Sequence, residues 1–288
     1  MTKHLLRLFA SLPLRLIHLL GALLGWLVYL ASPRYAARLR ENFSASGICV
    51  EAGACRTILH KAVSEAGKSV AELAVVWGRP LEKVVPLVRH CYGWEHVEAA
   101  LAAKRGIIFL TPHLGCFEIT ALYYAARHPI TVLYRPPKLA WVEPWMAQGR
   151  GKSRVTLAPT DMSGVKALLK TLKRGEAAGI LPDQVPGEGE GVWADFFGKP
   201  AYTMTLAARL AQSTGAAIIL AYAERLPRGE GYTLHLQPFP AAFPEDRLEA
   251  AQMLNHAIED LVRKCPEQYL WSYNRYKVPA GATPPEAD

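Results

Sequence analysis

The sequence predicts an α/β protein with a largely parallel sheet flanked by helices, preceded by an N-terminal membrane helix and a helical lead-in region. Three observations support this prediction. Residues 14–32 are almost wholly apolar, residues 34–104 have helical periodicity, and short β-rich runs alternate with helical stretches from Gly106 onward. Strands that alternate with helices indicate a parallel sheet covered by helices on both faces.

The composition allows a large core and suits an anionic partner. The chain has 288 residues, of which 51% are hydrophobic, and this excludes a disordered protein. Lys and Arg outnumber Asp and Glu by 33 to 25, so the net charge is +8. Such a charge favours nucleic acid, a phospholipid surface or a phosphorylated substrate. The basic residues are dispersed without an aromatic-basic motif, so no nucleic-acid partner is expected.

The five cysteines carry little functional signal. They form no CxxC pair and have no histidine at metal-binding spacing. We therefore predict neither a zinc site nor a disulfide framework, and a reducing compartment fits best.

The apolar segment at residues 14–32 is interrupted only by Arg15 and His18, and basic residues flank it on both sides. About 20 apolar residues are needed to cross hydrocarbon, so a tilted span and a helix lying in the interface both fit. A cleaved signal peptide is the competing interpretation. The sequence after Tyr29, "LASPRYAARLR", is a basic stretch rather than a small-residue cleavage site. We therefore assign residues 1–32 to a membrane anchor helix.

The rest of the chain is predicted to form one α/β domain over residues 33–278 and a disordered tail over residues 279–288. Residues 34–104 are predicted to be helical throughout. Strands are predicted at residues 106–111, 130–135, 177–183, 216–225 and 232–239, and helices at residues 117–128, 162–175, 203–215 and 244–265. The last two strands, joined by "LPRGEG", are expected to form an antiparallel pair.

Three of the predicted strands lead directly into polar side chains. His113 follows the strand at 106–111, Arg135 ends the strand at 130–135, and Asp183 ends the strand at 177–183 and is followed by Gln184. In an open α/β sheet, functional groups gather beyond the carboxyl ends of the strands. The convergence of these three ends predicts a site there, although each residue alone is explained as the start of a loop.

The stretch "HLGCFE" places Glu118 five residues after His113. The same spacing also occurs after His60 and after His90, so the spacing alone is weak. On a continuous helix, five residues turn about 500°, which leaves the two side chains about 140° apart. A contact between histidine and glutamate therefore requires that the histidine precede the helix, and His60 lies within a predicted helix.

The backbone signals around His113 meet this requirement. Pro112 disfavours helix for the residue before it, and Gly115 permits a sharp turn, so a helix can begin near Cys116. His113 then precedes the helix and Glu118 lies in its first turn, where the two side chains can fold towards each other. A histidine paired with a carboxylate supports general base catalysis on a hydroxyl group.

Other catalytic motifs are not matched. There is no GxSxG, and Cys116 beside an aromatic residue is typical of a small packing residue. The "MAQGRGKS" segment has Met146 where a phosphate-binding loop needs its first glycine. Neither HExxH nor an EF-hand pattern is found, so no metal and no cofactor is predicted.

Five segments, taken in order, resemble the bacterial lysophospholipid acyltransferase-like family that contains the late acyltransferases of lipid A biosynthesis. They are the apolar segment at residues 14–32, "TPHLGCFE", "YRPP", "LPDQ" and "FFGKPAYTMT". The resemblance covers nearly the whole chain. It implies a catalytic dyad of His113 and Glu118, with an acyl-thioester of acyl carrier protein or coenzyme A as donor and a hydroxyl of a lipid A precursor as acceptor. It also implies a location at the cytoplasmic face of the bacterial inner membrane.

This reaction agrees with the residues, because a thioester donor and a hydroxyl acceptor need a base but no protein nucleophile. Arg135 or backbone N–H groups near Gly115 are candidate oxyanion donors. Arg135 is alternatively a ligand for an acceptor phosphate. Asp183 either orients Arg135 or a substrate hydroxyl, or caps a loop, and Gln184 is a further candidate substrate-binding residue.

Two other functions remain open from the sequence. One is acylation of a lysophospholipid acceptor by the same chemistry. The other is a non-catalytic, membrane-tethered protein that binds an anionic lipid, in which His113 is only structural.

Overall fold

The computed structural model describes residues 2–137 and 139–284. The helices span Thr2–Ser11 (α1), Leu14–Ala31 (α2), Pro33–Ala45 (α3), Ala52–Ala71 (α4), Leu73–Gly78 (α5), Leu81–Val84 (α6), Trp94–Ala102 (α7), Phe117–Ala125 (α8), Glu143–Arg150 (α9), Met162–Lys173 (α10), Leu206–Thr214 (α11) and Arg247–Lys264 (α12). The strands span Val88–Tyr92 (β1), Ile107–Leu110 (β2), Ile130–Tyr134 (β3), Val155–Pro159 (β4), Ala177–Ile180 (β5), Gly191–Phe196 (β6), Lys199–Met204 (β7), Ala217–Arg225 (β8) and Tyr232–Pro238 (β9).

Seven strands form one sheet in the order β1-β9-β8-β2-β5-β3-β4. Every neighbouring pair is parallel except β8 and β9, which are antiparallel. The predicted α/β class, the mostly parallel sheet and the antiparallel pair are therefore confirmed. In this order the carboxyl ends of β2, β5 and β3 lie side by side.

The central strand β2 shows why the sheet is buried on both faces. All four of its residues are buried, and they alternate between two apolar clusters. Ile108 and Leu110 pack into the cluster that contains α10, α11 and α12, whereas Ile107 and Phe109 pack into the cluster that contains α7, α8 and α9. A continuous apolar run is typical of such a strand, because neither face meets water.

Four strands were not predicted. Residues 34–104, predicted to be helical throughout, contain β1, and β4 was also missed. Both lie at the edges of the sheet and are partly exposed, so they lack the apolar runs of central strands. Strands β6 and β7 form a separate hairpin around Phe197 and Gly198, both of which have positive φ. The helix predicted at 203–215 accordingly begins later, at Leu206.

The cysteine prediction was wrong. Cys49 and Cys55 form a disulfide, with their Cα atoms 5.5 Å apart, at the loop that leads into α4. Spacing rules missed it because a short loop, rather than a CxxC turn, brings the two residues together. The cysteines therefore no longer support a reducing compartment.

Helix α2 packs along α4 through glycines. A Cβ atom added at Gly67 would lie 1.9 Å from the carbonyl oxygen of Gly21, and one at Gly25 would lie 2.3 Å from the carbonyl oxygen of Val63. The two backbones therefore touch, and only glycine fits at these contacts. Trp26 reinforces the contact, since its Nε1–H donates to Ser64 Oγ at 3.0 Å.

The opposite face of α2 is exposed and apolar. Leu19, Leu23 and Leu27 are 57%, 60% and 64% exposed. Among the described residues, α2 is the one helix long and apolar enough to cross a membrane by length and composition, and 28% of its residues are buried within the protein.

The predicted tail at 279–288 lies partly outside the described residues, which end at residue 284. Within the described part, the Thr283 carbonyl accepts a hydrogen bond from Trp193 Nε1 at 2.8 Å. The domain boundaries at 32 and 278 stay predictions.

Candidate active site

His113 and Asp183 meet at the carboxyl edge of the sheet. His113 follows β2 and Asp183 follows β5, and these two strands are neighbours. His113 Nδ1 lies 2.8 Å from Asp183 Oδ1, and the His113 backbone N–H donates to Asp183 Oδ2 at 2.9 Å. Both oxygens of the Asp183 carboxylate thus contact His113, one at the ring and one at the backbone. The two side chains are only 12% and 3% exposed, so little water competes for this contact.

The pairing determines the charge of Asp183 and the position of the shared proton. Burial alone would raise the pKa of Asp183, but attraction to His113 and the hydrogen bonds that His113 donates outweigh burial and lower the pKa. An ionised carboxylate only accepts hydrogen bonds, so the shared proton lies on His113 Nδ1. In the neutral imidazole, Nε2 is then the ring nitrogen that carries the lone pair.

Gln184 lies next to that lone pair. Its Nε2 atom is 3.1 Å from His113 Nε2, and in the neutral tautomer with the proton on Nδ1 the amide N–H is the donor. A substrate hydroxyl that reaches His113 Nε2 would have to displace this amide. Gln184, a candidate substrate-binding residue in the sequence, is therefore placed beside Nε2 of His113.

The turn at residues 112–116, here called the His113 turn, is held by its backbone. Gly115 has a φ of +61°, and a Cβ atom there would lie 2.0 Å from the Ala223 carbonyl oxygen. The Cys116 N–H donates to this same oxygen at 2.7 Å. The predicted sharp turn and the start of helix at Phe117 are therefore present.

Gly115 was also a candidate source of an oxyanion donor. Its N–H donates instead to the Gln268 carbonyl at 3.1 Å, and the Cys116 N–H is used by Ala223. These two N–H groups therefore serve the turn, so the structure does not support Gly115 as a donor to a substrate.

Glu118 is in the first turn of α8, as predicted, but it does not reach His113. Its carboxylate accepts from Trp77 Nε1 at 3.0 Å and from Arg150 Nε at 2.9 and 3.0 Å, and Arg150 Nη2 is also bonded to it. Within the described residues, no hydrogen bond joins Glu118 to His113. The expected contact between them is therefore not formed, and the Phe117 ring lies against His113 instead, with ring centroids 4.5 Å apart.

Arg150 is a site residue that the sequence reasoning missed. It ends α9, within the "MAQGRGKS" segment that failed as a phosphate loop. Burial alone would lower the pKa of Arg150, but the Glu118 carboxylate outweighs burial and raises it, so the guanidinium stays charged. It also lies over the rings of Trp77 and Tyr134, at 5.5 and 6.0 Å from their centroids.

Arg135 lies at the end of β3 but is exposed. Its Nε donates to Thr160 Oγ1 at 3.4 Å, which is its one hydrogen bond to the described residues. Asp183 is bonded to His113, so the alternative in which Asp183 orients Arg135 is not what the structure shows.

Cys116 is 1% exposed, and burial raises the pKa of its thiol well above the usual range. A protonated, buried thiol does not act as a nucleophile, which agrees with the packing role expected from the sequence. Across residues 2–137 and 139–284, no cluster of three or more His, Cys, Asp or Glu side chains is arranged to hold a metal ion.

Two small cavities lie between α8 and the sheet, and Phe117 lines the first of them. The first, of about 60 Å³, is bordered by Phe117, Glu118 and Arg150, and its other walls are mainly apolar. The second, of about 20 Å³, extends towards Trp94 and Tyr124. The walls that they share come from Thr111, Thr120, Ala121 and Gly179.

Comparisons with known proteins find acyltransferases among the proteins similar to this chain. The chain is 28% identical over 276 residues to the lipid A biosynthesis lauroyltransferase of Escherichia coli. The aligned region covers 94% of this chain and 88% of that protein. It is 28% identical over 213 residues to the E. coli lipid A biosynthesis palmitoleoyltransferase, with 74% and 69% covered.

A more distant match is the phosphatidylinositol mannoside acyltransferase of Mycobacterium tuberculosis. It is 24% identical over 147 residues, with 50% of this chain and 46% of that protein covered. The profile of the bacterial lipid A biosynthesis acyltransferase family matches residues 2–278, nearly the whole chain. The protein is therefore an acyltransferase that belongs to the bacterial lipid A biosynthesis acyltransferase family.

Proposed function

We propose that this acyltransferase moves a fatty acyl chain from a thioester of acyl carrier protein or coenzyme A to a hydroxyl of a lipid A precursor, with His113 as general base. The observation that carries the proposal is the double contact between His113 and Asp183, which leaves Nε2 as an oriented acceptor. The names of the E. coli relatives favour lipid A as the acceptor and make lauroyl and palmitoleoyl thioesters the first donors to try.

The reaction needs one proton relay. The acceptor hydroxyl gives its proton to His113 Nε2 as its oxygen attacks the thioester carbonyl carbon. The tetrahedral intermediate then collapses with loss of the thiolate, which takes the proton back from the imidazolium. Asp183 stabilises the imidazolium in between, as the acid of a catalytic triad does. No covalent acyl-enzyme is formed.

Glu118 contributes to the site through Arg150. The carboxylate binds Arg150 Nε and Nη2, which leaves Nη1 as a cationic donor next to the cavity beside Phe117. A guanidinium fixed in this way suits a developing oxyanion or a substrate phosphate. Arg135, exposed at the end of the neighbouring strand β3, is the second candidate for the phosphate.

The apolar cavities support an acyl subsite. They begin at Phe117, which lies against His113, and continue along the sheet towards Trp94. Their volumes of about 60 and 20 Å³ hold only part of a long acyl chain. A full chain therefore requires the side chains around Ala121 to move apart when the donor binds.

We also propose that α2 lies in the membrane interface rather than across the bilayer. One face of α2 is fixed to α4 by glycine contacts, and the opposite face exposes leucines. Helix α4 carries charged residues such as Lys61 and Lys68, which a spanning α2 would draw towards hydrocarbon. The exposed Arg15, Arg34 and Arg38 suit anionic lipid headgroups at the surface of the bilayer.

The experiment for the reaction is mass spectrometry of purified full-length protein with lauroyl-acyl carrier protein or lauroyl-coenzyme A. One sample receives a lipid A precursor that lacks its late acyl chains, and the other receives lysophosphatidic acid. We expect the lipid A precursor alone to gain one lauroyl mass. Acylation of lysophosphatidic acid alone would assign a glycerolipid acceptor, and thioester loss independent of either acceptor would contradict acyl transfer.

The experiment for the membrane is flotation with vesicles that contain phosphatidylglycerol. Substituting Leu19, Leu23 and Leu27 together by Ser should release the protein, because the apolar face of α2 supplies the attachment. The control substitutes Val50, Met162 and Leu248, which are exposed elsewhere, by Ser and should still float. Equal flotation of both variants would contradict the role of α2.

A further inference from the structure

Arg225, at the end of β8, is buried within a polar cluster that reaches the His113 turn. It is 5% exposed, and its Nε and Nη2 donate to the two carboxylate oxygens of Glu72 at 2.9 and 2.6 Å. The same Nη2 donates to the Gly115 carbonyl at 2.8 Å, and Nη1 donates to Glu65 at 3.3 Å. Arg225 thus connects α4 and the residue that follows it to the His113 turn.

The cluster fixes both polar backbone groups of Gly115. Arg225 binds the Gly115 carbonyl directly. The Arg225 N–H donates to Gln268 Oε1 at 2.8 Å, and Gln268 Nε2 donates to the Arg225 carbonyl at 3.2 Å. The backbone carbonyl of Gln268 in turn accepts the Gly115 N–H. Next along the chain, the Leu270 N–H donates to the His113 carbonyl at 3.1 Å. The position of the His113 backbone therefore depends on Arg225 and its neighbours.

The cluster also includes the N-terminal helix. His18 of α2 is 4% exposed, and its Nε2 lies 3.4 Å from Glu72 Oε2, an electrostatic contact that does not meet hydrogen-bond geometry. The Tyr232 hydroxyl donates to this same oxygen at 3.1 Å. Helix α2 has two basic side chains: Arg15 is exposed, whereas His18 faces the interior of the protein rather than the exposed leucine face. One carboxylate, Glu72, therefore joins α2 to the arginine that holds the catalytic turn.

A buried ion pair is a weak source of stability, because removing two charges from water offsets much of their attraction. Apolar side chains of similar size would hold β8 against α4 about as well. They would not supply a donor that fixes the Gly115 carbonyl in one direction. The cluster is therefore better explained by positioning than by stability.

We propose that Arg225 and Glu72 are positioning residues for acyl transfer, and that docking of α2 through His18 is part of the same device. Helix α2 then supports the His113 turn in addition to attaching the protein to the membrane. This inference rests on the proposed role of His113 as general base.

The test uses full-length protein in detergent micelles, where membrane attachment is not required. Arg225→Lys keeps the charge that Glu72 needs, but a single ammonium group cannot hold both carboxylate oxygens and the Gly115 carbonyl with the same geometry. We expect kcat to fall at least about tenfold with KM changed less than about threefold, since misplacing a catalytic group acts on the chemical step.

A matched control separates positioning from general loss of packing. Arg275 is also buried, at 3% exposed, and donates to the Tyr202 carbonyl and to Thr203 in the β7 strand. Arg275→Lys should lower the melting temperature comparably and leave kcat within about twofold. An equal loss of kcat in both variants would overturn the proposal, as would full kcat in Arg225→Lys.

A milder variant covers the case in which Arg225→Lys does not fold. Tyr232→Phe removes one hydrogen bond to Glu72 and keeps the ring, so it should lower kcat a few-fold with KM unchanged. For α2, His18→Phe should lower kcat in micelles a few-fold, whereas Leu248→Ser, at an exposed position on α12, should not. Full kcat in His18→Phe would leave α2 as an anchor only and contradict its positioning role.

A readout without turnover distinguishes failure of this inference from failure of the proposed function. In protein labelled with ¹⁵N-histidine, the His113 Nδ1–H proton that is shared with Asp183 should give a downfield resonance. We expect it to shift or disappear in Arg225→Lys and to persist in Arg275→Lys. If the resonance behaves in this way but the wild-type protein transfers no acyl chain, only the proposed reaction is contradicted. If the resonance is unchanged in both variants, the positioning role of Arg225 is contradicted.

Discussion

Asp183 and Glu118 are both buried carboxylates near the His113 turn, but they bind different cations. Asp183, after β5, holds the imidazole of His113, whereas Glu118, in the first turn of α8, holds the guanidinium of Arg150. The partner of Asp183 follows the neighbouring strand, and the partner of Glu118 comes from α9, a helix that packs on α5 and β4. The difference shows that strand order, rather than spacing along the chain, selects the partner of the histidine.

The largest effect is expected at the histidine itself. His113→Ala should lower acyl transfer by about 10² to 10⁴, the usual contribution of a positioned general base, with the fold retained. His60→Ala and His90→Ala, which share the five-residue spacing, should stay near wild-type activity, because they lie on α4 and on the edge strand β1. Initial rates with one donor and one acceptor measure this. Loss of transfer in either control together with an active His113→Ala would place the base elsewhere.

The next effect tests the strand-end partner. Asp183→Asn should lower kcat by about 10²-fold or more with KM little changed, because an amide that donates to Nδ1 moves the ring proton to Nε2 and removes the base. Steady-state kinetics and a melting curve provide the measurement. A kcat within about threefold of wild type would show that Asp183 only holds the loop.

The helix-start partner should behave differently. Glu118→Gln weakens the contact with Arg150 and is expected to lower the free energy of unfolding by about 2 kcal/mol. Its kcat should fall only about tenfold, because Glu118 acts through Arg150 rather than on His113. Chemical denaturation and kinetics on the same sample measure both effects. If kcat instead fell as far as in Asp183→Asn, with unchanged stability, Glu118 would act on the imidazole during turnover.

The smallest effect concerns acid stability. The pKa of Asp183 is lowered from its ordinary value of 3.8, so the folded state releases this proton more readily than the unfolded state. The resulting stabilisation is complete above about pH 4 and is lost as the pH falls through the lowered pKa. Asp183→Asn should therefore show a flatter decline of unfolding free energy below pH 4 than wild type. A parallel decline in the two proteins would contradict an ionised Asp183 beside His113.

Much of this site could be predicted from the sequence. The apolar runs of β2, β3 and β5 locate the three strand ends, and Gly115 correctly predicts the left-handed turn before α8. These features depend on signals within a few residues. The same local reasoning also placed Glu118 in the first turn of its helix.

The pairing of side chains could not be predicted in this way. Asp183 is 70 residues from His113, and their contact requires β5 to lie beside β2, which no local pattern specifies. Arg150 and Trp77 reach Glu118 from 32 and 41 residues away. A buried carboxylate needs a partner, but its identity depends on how α5 and α9 pack against α8. The edge strand β1 was missed because it carries polar, exposed residues such as Arg89 and His90.

The glycine contacts between α2 and α4 have a consequence for how such proteins can be recombined. A leucine-rich helix from an unrelated protein would reproduce the exposed apolar face of α2. It would not dock, because side chains at positions 21 and 25 would collide with the backbone of α4, where the added Cβ atoms would come within 2.8 and 2.3 Å of Lys68 and Val63. The leucine face of α2 can therefore be exchanged for another apolar sequence, whereas the glycine face has to match the α4 that it contacts.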